Sequence, residues 1–199
     1  MKGEFDMADL GIMRFFRGIE VKQNIKGIFI HQHKYALEIL SRYGMEKCNK
    51  VCCPYVRGGK LVKDEEGKAA GATTFKQMVG SLMYLLATRP NIEFFVCLVS
   101  RYMERPIKIH VAAVKRIMRY LQNILDFGIW FKHEEKNNLQ LFGWRDSDYT
   151  KDRDDRKSTS GYMFNIGSRP VSWSSKKQPI ITLSTTEAEF VAATSCVCQ

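Results

Sequence analysis

The chain has 199 residues, 45% of them hydrophobic and 26% charged, with 31 Lys and Arg against 21 Asp and Glu and a formal net charge of +10. That length carries one or two domains with real cores, and the composition excludes a disordered chain. No apolar run reaches bilayer length, the Met1–Asp9 start reads as neither a signal nor a transit peptide, and the cationic excess points to a polyanionic partner, nucleic acid first.

The chain opens with the pattern of a short helix and a strand pair. Residues 15–22 and 28–32 are apolar and extended, with 24–27 as the turn between them. Tyr35, Leu37, Ile39, Leu40 and Tyr43 repeat at helical spacing. Residues 57–72 are rich in Gly, Lys and Glu without an apolar period and read as a loop or linker. Thr73 or Thr74 is the expected cap of the next helix. Its apolar residues, from Phe75 to Leu86, cover most of the circumference, so it should be buried, and Arg89-Pro90 stops it. Helices over 92–103 and 107–124 follow. On the second, Val111, Val114, Ile117, Met118 and Leu121 share one face, while Lys108, Lys115 and Arg119 stack on the other with Arg116 beside them. This basic face is either a solvated surface or a track for phosphates.

From Leu139 the pattern turns to strands, over 139–145, 161–166 and 170–173, with Gly167-Ser168-Arg169 as a tight hairpin turn. Ser184-Thr185-Thr186-Glu187 has capping-box spacing and opens a last helix. The six cysteines read as reduced thiols. Cys48, Cys52 and Cys53 with His31 or His33 are too crowded to close a zinc tetrahedron readily.

Four stretches of the last segment carry a resemblance. They are Gly143-Trp144-Arg145-Asp146-Ser147-Asp148, the run from Asp154-Asp155-Arg156-Lys157 to Gly161-Tyr162, Ser172-Trp173-Ser174-Ser175-Lys176-Lys177-Gln178, and Leu183-Ser184-Thr185-Thr186-Glu187-Ala188-Glu189-Phe190. In order and spacing they resemble the ribonuclease H domain of copia-type retrotransposon Pol polyproteins. Val79-Gly80-Ser81-Leu82-Met83-Tyr84-Leu85 with Thr88-Arg89-Pro90 is similar to that family's thumb segment. Gly3 to Val21 is similar to the end of its reverse transcriptase palm and the primer-contacting hairpin, and Tyr35 to Met45 also fits.

The resemblance implies an α+β chain. Residues 1–56 would be the palm-end hairpin and the start of the thumb, 57–72 a linker, 73–133 a helical thumb/connection, and 139–199 a ribonuclease H-like unit of three antiparallel strands and the first helix. No polymerase aspartate pair occurs here, and in the family it lies upstream. Family ribonucleases H hold two divalent metals, roughly 3.5–4 Å apart, on converging carboxylates, with Mg²⁺ the natural hard cation. Asp146 and Glu189 match two of these carboxylates, and Asp148 is the alternative for the first. The remaining aspartates would follow Gln199, so a catalytically incomplete site with residual affinity for RNA–DNA hybrid is expected. Arg145 stands where a small polar residue is usual, and a cation there competes with metal for the carboxylate. The alternative is a host-adopted, non-enzymatic basic module for nucleic-acid binding or assembly. The parent element implies a cytoplasmic, virus-like-particle setting or a nuclear one, with no membrane. The strand from Leu139 should be an open sheet edge through which copies associate.

Overall fold

The computed structural model describes residues 11–56, 61–64, 66–133 and 140–198. The expectations on Met1–Asp9, including the opening short helix, on residues 57–60 and on Leu139 lie outside these. Among the described residues there are five α-helices and two antiparallel sheets, an α+β architecture.

The first sheet is built from β1 (Phe15–Phe16), β2 (Ile19–Asn24), β3 (Gly27–His31) and β4 (Gly128–Lys132), in that spatial order. Arg17 and Gly18 both take positive φ, 44° and 77°, which turns β1 tightly into β2. β4 was not among the expected elements and lies at the end of the segment 73–133 expected as a helical thumb/connection. It pairs with β3 from Gly27↔Lys132 to His31↔Gly128. Glycine ends both diagonals for a steric reason: a Cβ at Gly27 would overlap the Phe131 carbonyl oxygen, and one at Gly128 the Ile30 carbonyl oxygen.

Four helices form the main core: α1 (His33–Arg42), α2 (Ala72–Leu85), α3 (Glu93–Ser100) and α4 (Lys108–Asn123). Ile39, Leu40, Phe75, Leu82, Ile117 and Leu121 are buried at its centre. α2 departs from expectation twice. Gly71, not a threonine, is its N-cap and no side chain caps it. Its burial is one-sided, because Met83 and Tyr84 face outward at 38% and 43% exposure. Tyr84 is used there: its hydroxyl donates to the Arg17 carbonyl, and Gly18 packs against its ring.

Buried polar groups knit the first sheet to the core. Thr88 Oγ1 donates to Gln32 Oε1 at 2.9 Å, and Gln32 Nε2 donates to the Tyr84 carbonyl at 3.3 Å. Arg89, fully buried, donates from Nη1 to the Ile124 carbonyl at 2.5 Å and from Nη2 to that of Leu125 at 2.7 Å. It thereby satisfies carbonyls that the end of α4 leaves without an intrahelical partner. Residues 61–64, within the stretch expected as loop or linker, are loop bonded to the helices. Tyr102 donates to the Leu61 carbonyl at 2.9 Å. His110 accepts from the Ile107 N–H through Nδ1, so its Nε2 carries the proton donated to Val62.

The second sheet is a meander of β5 (Leu141–Asp148), β6 (Thr159–Ile166) and β7 (Arg169–Lys177), closed at Gly167-Ser168. α5 (Thr185–Val197) begins where expected, with Ser184 Oγ accepting from Glu187 N at 3.1 Å, and it buries Ala188, Ala192 and Cys196 against the sheet. β7 faces the helical core: Trp173 Nε1 donates to the Leu86 carbonyl at 3.1 Å, and Ser175 N to Glu93 Oε1 at 3.0 Å. β5 is the opposite edge.

Candidate functional site

β5 runs unbroken through Asp148, so the acidic motif is strand rather than strand-end turn. Side chains alternate along it. Asp146 and Asp148 face a cleft of about 360 Å³ between the sheet and the start of α3, shared with Glu93, Phe94, Lys151 and Trp173. Arg145 takes the other face, under α5, and there its Nη1 pairs with Glu189 Oε2 at 2.5 Å and donates to the Glu189 carbonyl at 2.9 Å. The sheet therefore lies between Asp146 and Glu189. Asp148 is engaged as well, accepting from the Thr159 N–H. Among the described residues no three His, Cys, Asp or Glu side chains converge as a metal site. A two-metal centre built on Asp146 and Glu189 does not fit this arrangement. Arg145 competes for the glutamate, where the sequence pointed to the aspartate.

Glu93 is an acid that the sequence reading missed. Burial pushes its carboxyl above the ordinary range, with the Ser175 N–H and Lys176 pulling the other way. No periodicity marks it, and only the packing of β7 onto α3 brings it beside Asp146.

The motif residues beyond the acids act mainly in docking. Asp152 accepts from Arg101 Nη1 at 3.1 Å and pairs with Lys177 at 2.7 Å, and Arg101 Nη2 donates to Thr159 Oγ1 at 2.9 Å. Burial alone would raise the Asp152 carboxyl, but Lys177 and the Asp154 and Asp155 N–H groups outweigh it and hold the group below its ordinary value. The Asp154 carboxylate accepts from Lys63 N at 3.0 Å. Gln178 Nε2 donates to Ser160 Oγ at 2.8 Å and to the Ala188 carbonyl at 2.9 Å, which ties the meander to α5.

The basic residues lie on α4. Lys108 and Lys115 are exposed, Arg116 and Arg119 half-buried. Both arginines are anchored through Nε, Arg116 to the Cys53 carbonyl at 3.1 Å and Arg119 to that of Asn49 at 2.7 Å. These bonds hold the segment 45–56 along α4, a pairing that sequence spacing gave no means of seeing. The bonds engage Nε alone, and none of Lys115, Arg116 and Arg119 has a carboxylate partner among the described residues.

A family model described as "Reverse transcriptase (RNA-dependent DNA polymerase)" matches residues 1–57. The Pol polyprotein of transposon RE1 from Arabidopsis thaliana is 39% identical over 193 residues, 96% of this chain and 13% of its own length. That of transposon TNT 1-94 from Nicotiana tabacum is 37% identical over 200 residues, 96% of this chain and 15% of its own. An uncharacterized mitochondrial protein of Arabidopsis thaliana is 34% identical over 193 residues, covering 96% of this chain and 79% of that protein. No solved structure matches. The chain belongs to the family of copia-type retrotransposon Pol polyproteins, and it spans less than a sixth of the length of the two Pol relatives named here.

Proposed function

We propose that this chain is the stretch of a copia-type Pol polyprotein in which the reverse transcriptase ends and a ribonuclease H-like unit begins, and that its own contribution is to hold RNA–DNA hybrid by the phosphates. The proposed units are residues 1–56 for the palm-end hairpin and thumb start, 57–72 for a linker or loop, 73–133 for the thumb/connection, and 139–199 for the ribonuclease H-like part. The meander β5–β6–β7 with α5 docked on it supports the last assignment. The cytoplasm, within a particle of the parent element, is the proposed setting. Among the described residues no helix is long and apolar enough to cross a membrane.

One observation carries the binding reading. Lys108, Lys115, Arg116 and Arg119 form a cationic face whose two arginines are pre-positioned by backbone bonds, so little freedom remains to be lost when a phosphate arrives. Each phosphate contact should add about −0.9 to the slope of log affinity against log salt. Replacing the four residues with Gln should flatten that slope by about 2–4; an unchanged slope in a hybrid-binding titration would show the face to be solvated only.

The parent polyprotein would use Mg²⁺. In this chain Glu189 is held by Arg145 and Asp146 faces away, so labelled hybrid incubated with Mg²⁺ or Mn²⁺ should remain uncut. Cleavage that disappears with Asp146→Asn would overturn this.

A further inference from the structure

Between α4 and the segment 45–56 lies a cleft of about 580 Å³, within the usual range for small-ligand sites. Its lining is apolar, from Met45, Tyr55, Val56, Leu61, Ile109 and Ala112, and its rim carries Lys115, Arg116 and Arg119. Val56 and Ile109 remain 53% and 47% exposed there, although the core face of α4 lies elsewhere. A solvated phosphate track needs no apolar hollow beneath it. We infer that this cleft takes one unpaired nucleotide of a bound strand, its base against Tyr55 and Ile109 and its phosphate on Lys115, Arg116 and Arg119. The inference rests on the hybrid-binding reading and adds to it a second mode of contact, with a base.

Two observations select this occupant. The rim holds three cations without a carboxylate partner among the described residues, so the ligand is anionic on that side. The arginines already spend Nε on the Cys53 and Asn49 carbonyls, which restrains each guanidinium and leaves its Nη donors to phosphate oxygens. The hollow between them and Tyr55 suits a flat apolar group, and stacking of a base on an aromatic ring is tolerant of sequence. An acidic amphipathic peptide would meet the same charge, and the test distinguishes it.

The experiment uses the full chain with blunt RNA–DNA hybrid, with the same hybrid carrying a short single-stranded overhang that contains 2-aminopurine, and with the free overhang oligonucleotide. The overhang should tighten binding about ten-fold and quench the 2-aminopurine. Ala112→Phe, which fills the cleft from an exposed position on α4 and removes no charge, should abolish both effects and leave blunt-hybrid affinity and its salt slope unchanged. Equal binding of blunt and overhanging hybrid, quenching that survives Ala112→Phe, or displacement of the oligonucleotide by an acidic amphipathic peptide at lower concentration would each overturn the proposal. Failure of blunt hybrid to bind defeats the earlier reading alone, because the free oligonucleotide still reports on the cleft. Absence of quenching with that oligonucleotide defeats this one.

Discussion

Arg89 sits in the core without a single exposed atom, and a guanidinium there demands an explanation. Burial draws its pKa down to about 10, with Asp126 partly countering, so it stays charged at neutral pH. It is held because two of its nitrogens serve the Ile124 and Leu125 carbonyls, where α4 ends and the chain turns towards β4. Arg89→Ala should cost about 3 kcal/mol, from the Leu125 carbonyl left unpaired, the Ile124 carbonyl left with the Phe127 N–H alone, and a cavity. Arg89→Lys should cost less, since an ammonium can keep one of the bonds but not the fork. Urea midpoints of the three proteins would check the order, and an alanine variant as stable as the parent would refute it. Sequence singled out Arg89 as part of a motif and as a helix stop, but its partners lie 35 and 36 residues away and no local pattern names them. The candidate acids behave alike. Motif order singled out Asp146 and Glu189, whereas their separation across the sheet depends on where α5 settles and on which carboxylate Arg145 reaches.

At the level of elements, the loop between β5 and β6 works as a clamp on the helical core. Asp152 is its centre, 8% exposed and shared by Arg101 of the α3 end and Lys177 of β7. Removing the charge leaves two cations facing a neutral amide, so Asp152→Asn should destabilise by about 2–4 kcal/mol. The folded-state pKa lies below the ordinary 3.8, so the unfolded chain takes up the proton first as pH falls. The contribution is therefore fully present above that value and is lost as pH drops through the folded pKa. The stability gap between parent and Asp152→Asn should be flat from neutrality down to about pH 4 and close below it; a gap that grows in acid would sink the clamp. Most elements were legible in the sequence. The turn over 24–27 with a strand on each side, the helices around Ile39 and Ile117, and the N-cap at Ser184 follow from local spacing; the turn at Arg17-Gly18, which splits 15–22 into β1 and β2, and the reach of the Glu187 carboxylate to Leu183 N instead of Ser184 N do not. β4 was missed because Gly-Ile-Trp-Phe-Lys is only five residues long, and its strand state comes from pairing with β3, nearly a hundred residues earlier. The burial expected of α2 holds on one side only, because apolar content does not tell which side the neighbouring helices cover, and Met83 and Tyr84 are left exposed.

For the whole molecule, the charge and the β5 edge pull in opposite directions. A net charge of +10 keeps copies apart at low salt and weakens that repulsion as salt rises. Among the described residues nothing pairs with the outer side of β5, an eight-residue strand carrying Leu141, Phe142 and Trp144 at 65%, 43% and 63% exposure. Such an edge offers unpaired N–H and C=O groups beside apolar side chains, the combination that templates strand addition. β7, the other edge of the same sheet, is closed off by Trp173, Ser175 and Arg169, which bond to Leu86, Glu93 and Lys132. Association should therefore run through β5 and grow with protein concentration and with salt, the reverse of the salt response of hybrid binding. Trp144→Lys places a charge on the open strand without touching the α5 face, and it should return the chain to monomer in sedimentation velocity. Hydrogen exchange gives a second reading: amides of β5 should exchange faster than those of α2 and α4 in the monomer, and slow on association. A monomer at every concentration and salt, with β5 as protected as α4, would defeat the prediction, and the edge would then be one that the +10 charge suffices to guard.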